Sequence, residues 1–547
     1  MSADSESAIA ALRDEIDPFV FLGGAIATII AIGYIAARPG AAGEFLTNAN
    51  TFLWSELGWV FLWAMFLAVA FCLWLLVGPW GKIKLGGPDE EPEFSYTSFL
   101  AMLFSAGLST GLVFYGPAEA LFHYSSGPPY FGAEAESAAV VPDAIQYTML
   151  HWGISPWSAY LIVGVTIAYY VHRKGAPIKP STVFAPFIGV ENLDKKWVKP
   201  LDLLMVIVSV GGVAVSLGFV VTQFLGGISY NYGVEVGNLG TILVTVGLTV
   251  GFTISAALGV KRGIRRVSTF NMYLFLFLLA VAFVFGPTSF LLNTGTEALG
   301  GYINSFVDMS LYSNSANGAE WVGSWTVFYW AWWFSFAPMI GIFITRICRG
   351  RTIRQVVFAG LIGTTAASFP WFIVMGGSSL WVQTRGTVDL LSIVFEQGRE
   401  VAAFPLFETL MPFGGIFAAA YLLLVLTFLI TTVDSTTLSL AMFTTDGSEH
   451  PSTINRVLWG GLVGLLSSLL LITGGLEALQ NFVVLLGFPI AFVIGLCFIG
   501  LTIELERTRP VLLTERHKKA DRESEDQQTV VDYLSDRRPA WAGGSDD

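Results

Sequence analysis

Three groups of side chains in this 547-residue sequence exceed what a plain apolar helix requires. The first is aromatic. Trp152, Trp157 and Tyr160 lie close together, and a second cluster holds Trp325, Tyr329, Trp330, Trp332, Trp333 and Phe336. A quaternary ammonium group has no N–H to donate, so ring faces must hold it. Each desolvated contact of that kind contributes about 0.5–2 kcal/mol. An interfacial aromatic belt accounts for Trp325, whereas Trp332 and Trp333 stand well inside their segment. Trp157 and Tyr160 are nearly one helical turn apart and share a face.

The second group is Gly107, Leu108, Ser109, Thr110 and Gly111. Each glycine costs a helix about 1 kcal/mol against alanine, so the stretch has one of two uses. It is a face where helices pack closely, or an unwound segment whose free carbonyls coordinate an ion or substrate. The third group is the run from Thr431 to Thr437, with Asp434 at its centre. Hydroxyls in apolar helices usually bond back to their own helix, but an acid there costs at least ~2.5 kcal/mol. Glu119 is a similar case, and either carboxyl serves function or caps a broken helix end. Enzyme chemistry finds no support. His123, His151, His172, His450 and His517 show no metal-ligand spacing, and there is no phosphate loop. His151 reads as a packing or rim residue. Cys72, Cys348 and Cys497 lie in or beside apolar runs without CxxC spacing and read as small buried residues.

The elements that position these groups are membrane helices. The chain is 54% hydrophobic and only 13% charged, against about 25% charged in a soluble chain. Twelve apolar runs stand out, at about 18–37, 57–78, 99–124, 144–171, 201–229, 238–258, 270–292, 325–345, 356–381, 413–442, 457–473 and 482–503. Each is near the ~20 residues a spanning helix needs, and isolated strands are excluded in lipid. The even-numbered connections hold Lys82, Lys84, Arg173, Lys174, Lys179, Lys195, Lys196, Lys199, Lys261, Arg262, Arg265, Arg266, Arg346, Arg349, Arg351 and Arg354. The odd-numbered ones hold Arg38, Arg385 and Arg399. This alternation predicts both termini in the cytoplasm and an inner-membrane, multi-pass chain. The net charge of −12 leaves no basic face for nucleic acid. Residues 1–17 read as a cytoplasmic segment, 18–503 as the membrane domain, about 296–312 as an interfacial helix on the outer side, and 504–547 as a charged cytoplasmic tail.

At these residues the chain resembles the betaine/choline/carnitine transporter family. The similarity runs through nearly the whole membrane domain. It is carried by FSAGLSTGLVFYG (Phe104 to Gly116), HWGISPWSAY (His151 to Tyr160) and GVAVSLG (Gly212 to Gly218). WAWWFSFAP (Trp330 to Pro338), followed by RICRGRTIR (Arg346 to Arg354), is the most specific signature. The resemblance implies an all-α polytopic fold of 12 transmembrane helices. Ten of them would form a leucine-transporter-type 5+5 inverted repeat, about 99–292 and 325–503, preceded by two extra helices. It also implies a homotrimer with the interfacial helix between protomers.

Carried over by position, the ammonium cage would be Trp152, Trp157, Tyr160 and Trp333. Trp330 and Trp332 also match, Phe336 replaces a tryptophan along the pathway, and Gly107, Ser109 and Gly111 line the glycine-rich helix. A sodium site would use the backbone of Ser105, Leu108 and Phe428 with the hydroxyls of Thr431 and Thr432, hard oxygens that suit this ion. No other cofactor is implied. Proton-coupled choline members carry an acid at the position of Gly111, which favours a zwitterion such as glycine betaine here. Ser109 replaces a family glycine, Pro117 and Ala120 alter the surroundings of Glu119, and Val213 and Met339 weaken a second sodium site. The resemblance therefore implies sodium symport of a betaine-like solute by alternating access. Its rivals are sodium-independent or proton-coupled exchange of choline, carnitine or a related osmolyte, and a non-transporting osmosensor.

Overall fold

The computed structural model describes residues 12–257, 261–445 and 451–512, with side chains placed at all of these except 105–109, 252–257, 261–266, 268, 429, 431–435 and 508–512. Among the described residues every regular element is helical, apart from two isolated bridges, Ile16 to Thr445 and Lys84 to Thr352.

The chain opens with α1 (Pro18–Ala37), α2 (Pro39–Glu56) and α3 (Gly58–Val77). Asp17 caps α1 by accepting from the amides of Phe19 (3.0 Å) and Val20 (3.3 Å), and Pro18 sits at the first helical position, where no amide is missed. There follow α4 (Tyr96–Tyr115), α5 (Glu119–Ser126), α6 (Val140–Trp152), α7 (Ile154–Lys174), α8 (Lys199–Tyr232), α9 (Asn238–Ala257), α10 (Lys261–Phe285) and α11 (Thr288–Leu311). The second half holds α12 (Phe328–Ile347), α13 (Ile353–Phe358), α14 (Thr364–Arg385), α15 (Leu390–Gln397), α16 (Ala403–Leu410), α17 (Gly414–Phe443) and α18 (Thr453–Leu512).

Among the described residues seven helices are long and apolar enough to cross a membrane, eight if one sharply bent pair is counted as a span. Two shorter apolar helices, Asn238–Gly251 and Gly414–Phe428, stand beside them. On α1 the apolar side chains of Phe19, Leu22, Ile26, Ile29 and Ile30 are exposed. Five such residues on one helix would be an aggregation surface in water and are what a lipid-facing stripe looks like.

Several boundaries differ from those read off the sequence. The run 270–292 stops at Phe285, because Pro287 cannot continue the hydrogen-bond ladder. The chain turns by 107° into Thr288–Leu311, so this transverse helix starts earlier than 296. The run 99–124 is two helices, α4 and α5, and the run 144–171 contains a break at Gly153. In α18, Gly474 and Gly475 are non-helical, with φ of +60° at Gly475, so the last two runs meet at a kink. The charged tail beyond residue 512 lies outside the described residues.

One end of the bundle collects the basic connections and both ends of the described chain. Glu15 accepts from the Ser452 amide (2.8 and 3.0 Å), Lys199 pairs with Asp17 (2.5 Å) and Lys174 with Glu504 (2.9 Å). Arg354 donates to the carbonyls of Leu76 (2.8 Å) and Gly78 (2.7 Å), capping the end of α3. Arg351 donates to the Phe94 carbonyl and lies over the Phe99 ring at 4.5 Å. The RICRGRTIR segment thus ties α3 and the start of α4 to α12.

The helix that carries the second aromatic cluster is held by backbone contact. A Cβ on Gly487 would stand 2.3 Å from the Ala331 carbonyl oxygen and 2.7 Å from its Cα, between Trp330 and Trp332. Backbone cannot swing aside as a side-chain tip can. Gly487→Ala is therefore expected to cost about 1–3 kcal/mol, read as a lowered thermal unfolding midpoint of the purified protein. An unchanged midpoint would show that α18 and α12 are free to separate.

Candidate functional site

The aromatic residues singled out in the sequence converge where α6 and α7 meet α12. Trp152 ends α6. At Gly153 the backbone leaves the helix (φ −94°, ψ −136°), and α7 then brings Trp157 and Tyr160 inward. A Cβ at Gly153 would lie 2.5 Å from the Met149 carbonyl oxygen and 2.9 Å from the Phe369 ring, so the break needs glycine. Ser368 donates to the Trp152 carbonyl at 2.9 Å, satisfying an acceptor that the break leaves free.

The rings form a continuous chain. Trp157 meets Tyr160 edge to face at 5.8 Å, Tyr160 meets Trp333 at 5.4 Å, and Trp333 meets Trp152 at 5.3 Å. Trp332 joins Trp333 at 6.1 Å and Trp152 at 6.2 Å, and its indole N–H donates to Ser216 at 3.3 Å. Phe336 is buried on the same helix and comes close to Gly212 of α8. Trp330 turns toward His151, with ring centroids 5.7 Å apart. The indole N–H groups of Trp157, Trp330 and Trp333 are buried and have no acceptor among the described residues. In each edge-to-face pair only one ring has a face covered by the other, and the remaining faces with unused donors beside them suit a ligand with a cationic head and an anionic end.

The glycine-rich stretch does not unwind where the sequence allowed it to. The backbone of α4 is helical through Gly107 and Gly111 to Tyr115, and the break comes at Gly116–Ala118. The carbonyls at that end are taken up from neighbouring helices. Trp371 Nε1 donates to Leu112 (2.7 Å), while Gln223 Nε2 (3.2 Å) and the Tyr421 hydroxyl donate to Val113. Gly111 is a close-approach position: a Cβ there would be 2.5 Å from Trp152 Cη2 and 2.8 Å from Trp332 Cη2. Of the expected sodium ligands, the side-chain positions of Ser105, Leu108, Thr431 and Thr432 lie outside the described residues, as do those of Gly107, Ser109 and Asp434. Phe428 is described, buried on α17, and α17 packs against α4.

The polar partner of this aromatic site is Glu119, which the sequence marked as a costly acid in an apolar run without showing what it meets. Glu119, first residue of α5, is fully buried and accepts four hydrogen bonds. His123 Nε2 (3.2 Å) and His151 Nδ1 (2.8 Å) reach Oε1, while Trp152 Nε1 (2.6 Å) and the Tyr329 hydroxyl (2.5 Å) reach Oε2. His151 is thus no rim residue, and its Nε2 meets the Thr326 hydroxyl at 3.1 Å. The ligand-type atoms of Glu119, His123 and His151 lie within 4.8 Å of one another, a set that could hold a transition metal. A carboxylate offers about four acceptor positions, and four donors fill them here, so the Glu119 carboxylate itself is fully satisfied. Besides marking the acid, the sequence holds a local sign of one of the four partners, the i,i+4 spacing of Glu119 to His123.

Above this cluster the Arg399 guanidinium lies over the rings of Phe122 (5.0 Å) and Trp325 (5.8 Å). Its neighbour Glu400 has Oε2 buried with no hydrogen-bond partner among the described residues, and burial pushes its carboxyl up to about 7 against the pull of Arg399.

The sequence profile of the betaine/carnitine/choline family of transporters matches residues 19–510. The chain is 38% identical over 486 residues to the glycine betaine transporter OpuD of Bacillus subtilis, covering 88% of this chain and 93% of that protein. It is 34% identical over 497 residues to an ectoine/hydroxyectoine transporter of Virgibacillus pantothenticus, covering 89% and 94%. It is 33% identical over 478 residues to a probable glycine betaine transporter of Desulfitobacterium hafniense, covering 86% and 93%. The matched family and these relatives are transporters, not enzymes.

Proposed function

This chain belongs to the betaine/carnitine/choline transporter family, and on that footing we propose that it imports glycine betaine by sodium symport. The observation that carries the substrate is the ring chain of Trp157, Tyr160, Trp333 and Trp152 with unpaired indole donors at Trp157 and Trp333. Ring faces hold the trimethylammonium end. The free N–H groups are suited to the carboxylate, and Phe336 adds no donor. A cage that selects on an ammonium group and a short acid fits glycine betaine better than choline, which has no acid.

The proposed ion path runs between α4 and α17, the helices that hold Ser105 and Leu108 on one side and Phe428, Thr431 and Thr432 on the other. Sodium binding there would favour the state in which α4 is fixed against the opposing helices. A ligand shifts such an equilibrium only through its differential affinity for the two states. The basic connections gathered at one end of the bundle support a cytoplasmic location for that end and for both termini. We further propose twelve spans with two inverted five-helix repeats after two extra helices, and a homotrimer in which the transverse helix α11 packs between protomers.

Labelled-solute uptake into proteoliposomes tests this reading. Glycine betaine is expected to accumulate against its gradient with sodium outside, and to fall at least tenfold when potassium replaces sodium. Accumulation that ignores sodium would instead indicate exchange, as carnitine antiporters perform, and no accumulation would leave an osmosensor. The double variant Thr431→Ala with Thr432→Ala is expected to shift half-saturating sodium upward at least tenfold. An unaltered sodium titration would remove the ion site from these residues.

A further inference from the structure

The carboxylate of Glu119 has no place in the cage reading, yet it is tied to the cage by one of its walls. Its Oε2 accepts the Trp152 indole N–H at 2.6 Å, and that indole meets Trp333 edge to face at 5.3 Å. The charge therefore sits on the rim of Trp152, behind the box. Tyr329 shares the same oxygen at 2.5 Å, packs on Trp152 at 5.4 Å and stacks on His151 at 4.6 Å. The four donors come from α5 itself, α6 and α12, so the carboxylate also sets the mutual position of these elements.

The protons fit an ionised acid flanked by neutral rings. His151 donates through Nδ1 and uses Nε2 toward the Thr326 hydroxyl. His123 Nε2 faces the carboxylate, and its buried Nδ1 has no partner among the described residues. A second proton on His123 would have nothing to receive it. Glu119 then carries a negative charge in a fully buried, low-dielectric setting, where such a charge acts over several ångströms with little screening. Arg399, the cation over Phe122 and Trp325, lies one ring away, since Trp325 meets His123 at 4.6 Å. A carboxylate hydrogen-bonded to an indole N–H also raises the electron density of that ring, which strengthens its face as a cation acceptor.

We propose that Glu119 is a positioning residue that sets charge specificity: through Trp152 it makes the box prefer a cationic head to a neutral head of the same shape. This rests on the cage reading above, and the test separates the two. Glycine betaine is compared with 3,3-dimethylbutanoate, in which carbon replaces the nitrogen at nearly equal size. Binding of each is followed by tryptophan fluorescence on the purified full chain, for the wild type, Glu119→Gln, Glu119→Asp and Trp333→Ala.

The wild type is expected to prefer betaine. Glu119→Gln should lose at least tenfold of that preference, chiefly by weakening betaine, whereas Glu119→Asp keeps the charge and should keep the preference even if both affinities fall. Equal weakening of both ligands in Glu119→Gln, with the ratio intact, would make Glu119 a strut and overturn the proposal. Loss of the ratio in Glu119→Asp would overturn it as well, which covers the case in which Glu119→Gln does not fold. Failure of the cage reading looks different: the wild type would bind no betaine, or Trp333→Ala would bind it as the wild type does.

Discussion

Trp333→Ala is expected to reduce glycine betaine uptake to background, at least a hundredfold, while the protein still inserts and purifies. Trp333 is the ring shared by both halves of the box, touching Tyr160 at 5.4 Å and Trp152 at 5.3 Å. Removing it deletes one ring face, worth about 2 kcal/mol or ~30-fold when desolvated. It also opens the box to water, which weakens the remaining faces. The same loss is expected from Trp157→Ala, whose ring closes the other end against Tyr160. A truncated tryptophan in a packed interior also costs about 3–5 kcal/mol of stability. Uptake must therefore be normalised to protein in the membrane, with size-exclusion profiles as the control. Trp333→Phe keeps a ring face and is expected to recover part of the uptake. Wild-type uptake in Trp333→Ala would remove this residue from the site.

Gly111→Ala should weaken uptake at least tenfold although it adds one methyl group. Helix propensity favours the change by about 1 kcal/mol, so any loss must come from contact. The new Cβ would sit 2.5 Å from Trp152 Cη2 and 2.8 Å from Trp332 Cη2. Trp152 cannot simply retreat, because its indole N–H is held by Glu119 (2.6 Å) and its carbonyl by Ser368 (2.9 Å). The expected result is a displaced box wall, seen as a raised KM for betaine. Gly33→Ala on α1, where a Cβ meets nothing within 4 Å, is the matched control and should transport normally. Normal uptake by Gly111→Ala would mean that the rings move freely at this contact.

The sequence by itself determined what depends on composition and on short spacing. Long apolar runs dictated helices, because backbone groups in hydrocarbon have no other partners. That Trp152, Trp157, Tyr160 and Trp333 come together was legible because they are costly, distinctive side chains set in short segments that match a known family. Other features depend on groups far apart in the chain, which no local pattern encodes. His151, Trp152 and Tyr329 lie 32, 33 and 210 residues from the carboxylate they share. Glycine content marked Gly107 to Gly111 as a weak place in α4, yet the helix breaks later, at Gly116–Ala118. There Trp371, Gln223 and Tyr421, from three other helices, accommodate the carbonyls of Leu112 and Val113. Pro117 has no amide to offer the Val113 carbonyl and so ends the helix, but the buried acceptor it frees needs neighbours to satisfy it. Tertiary structure alone decides where those neighbours stand.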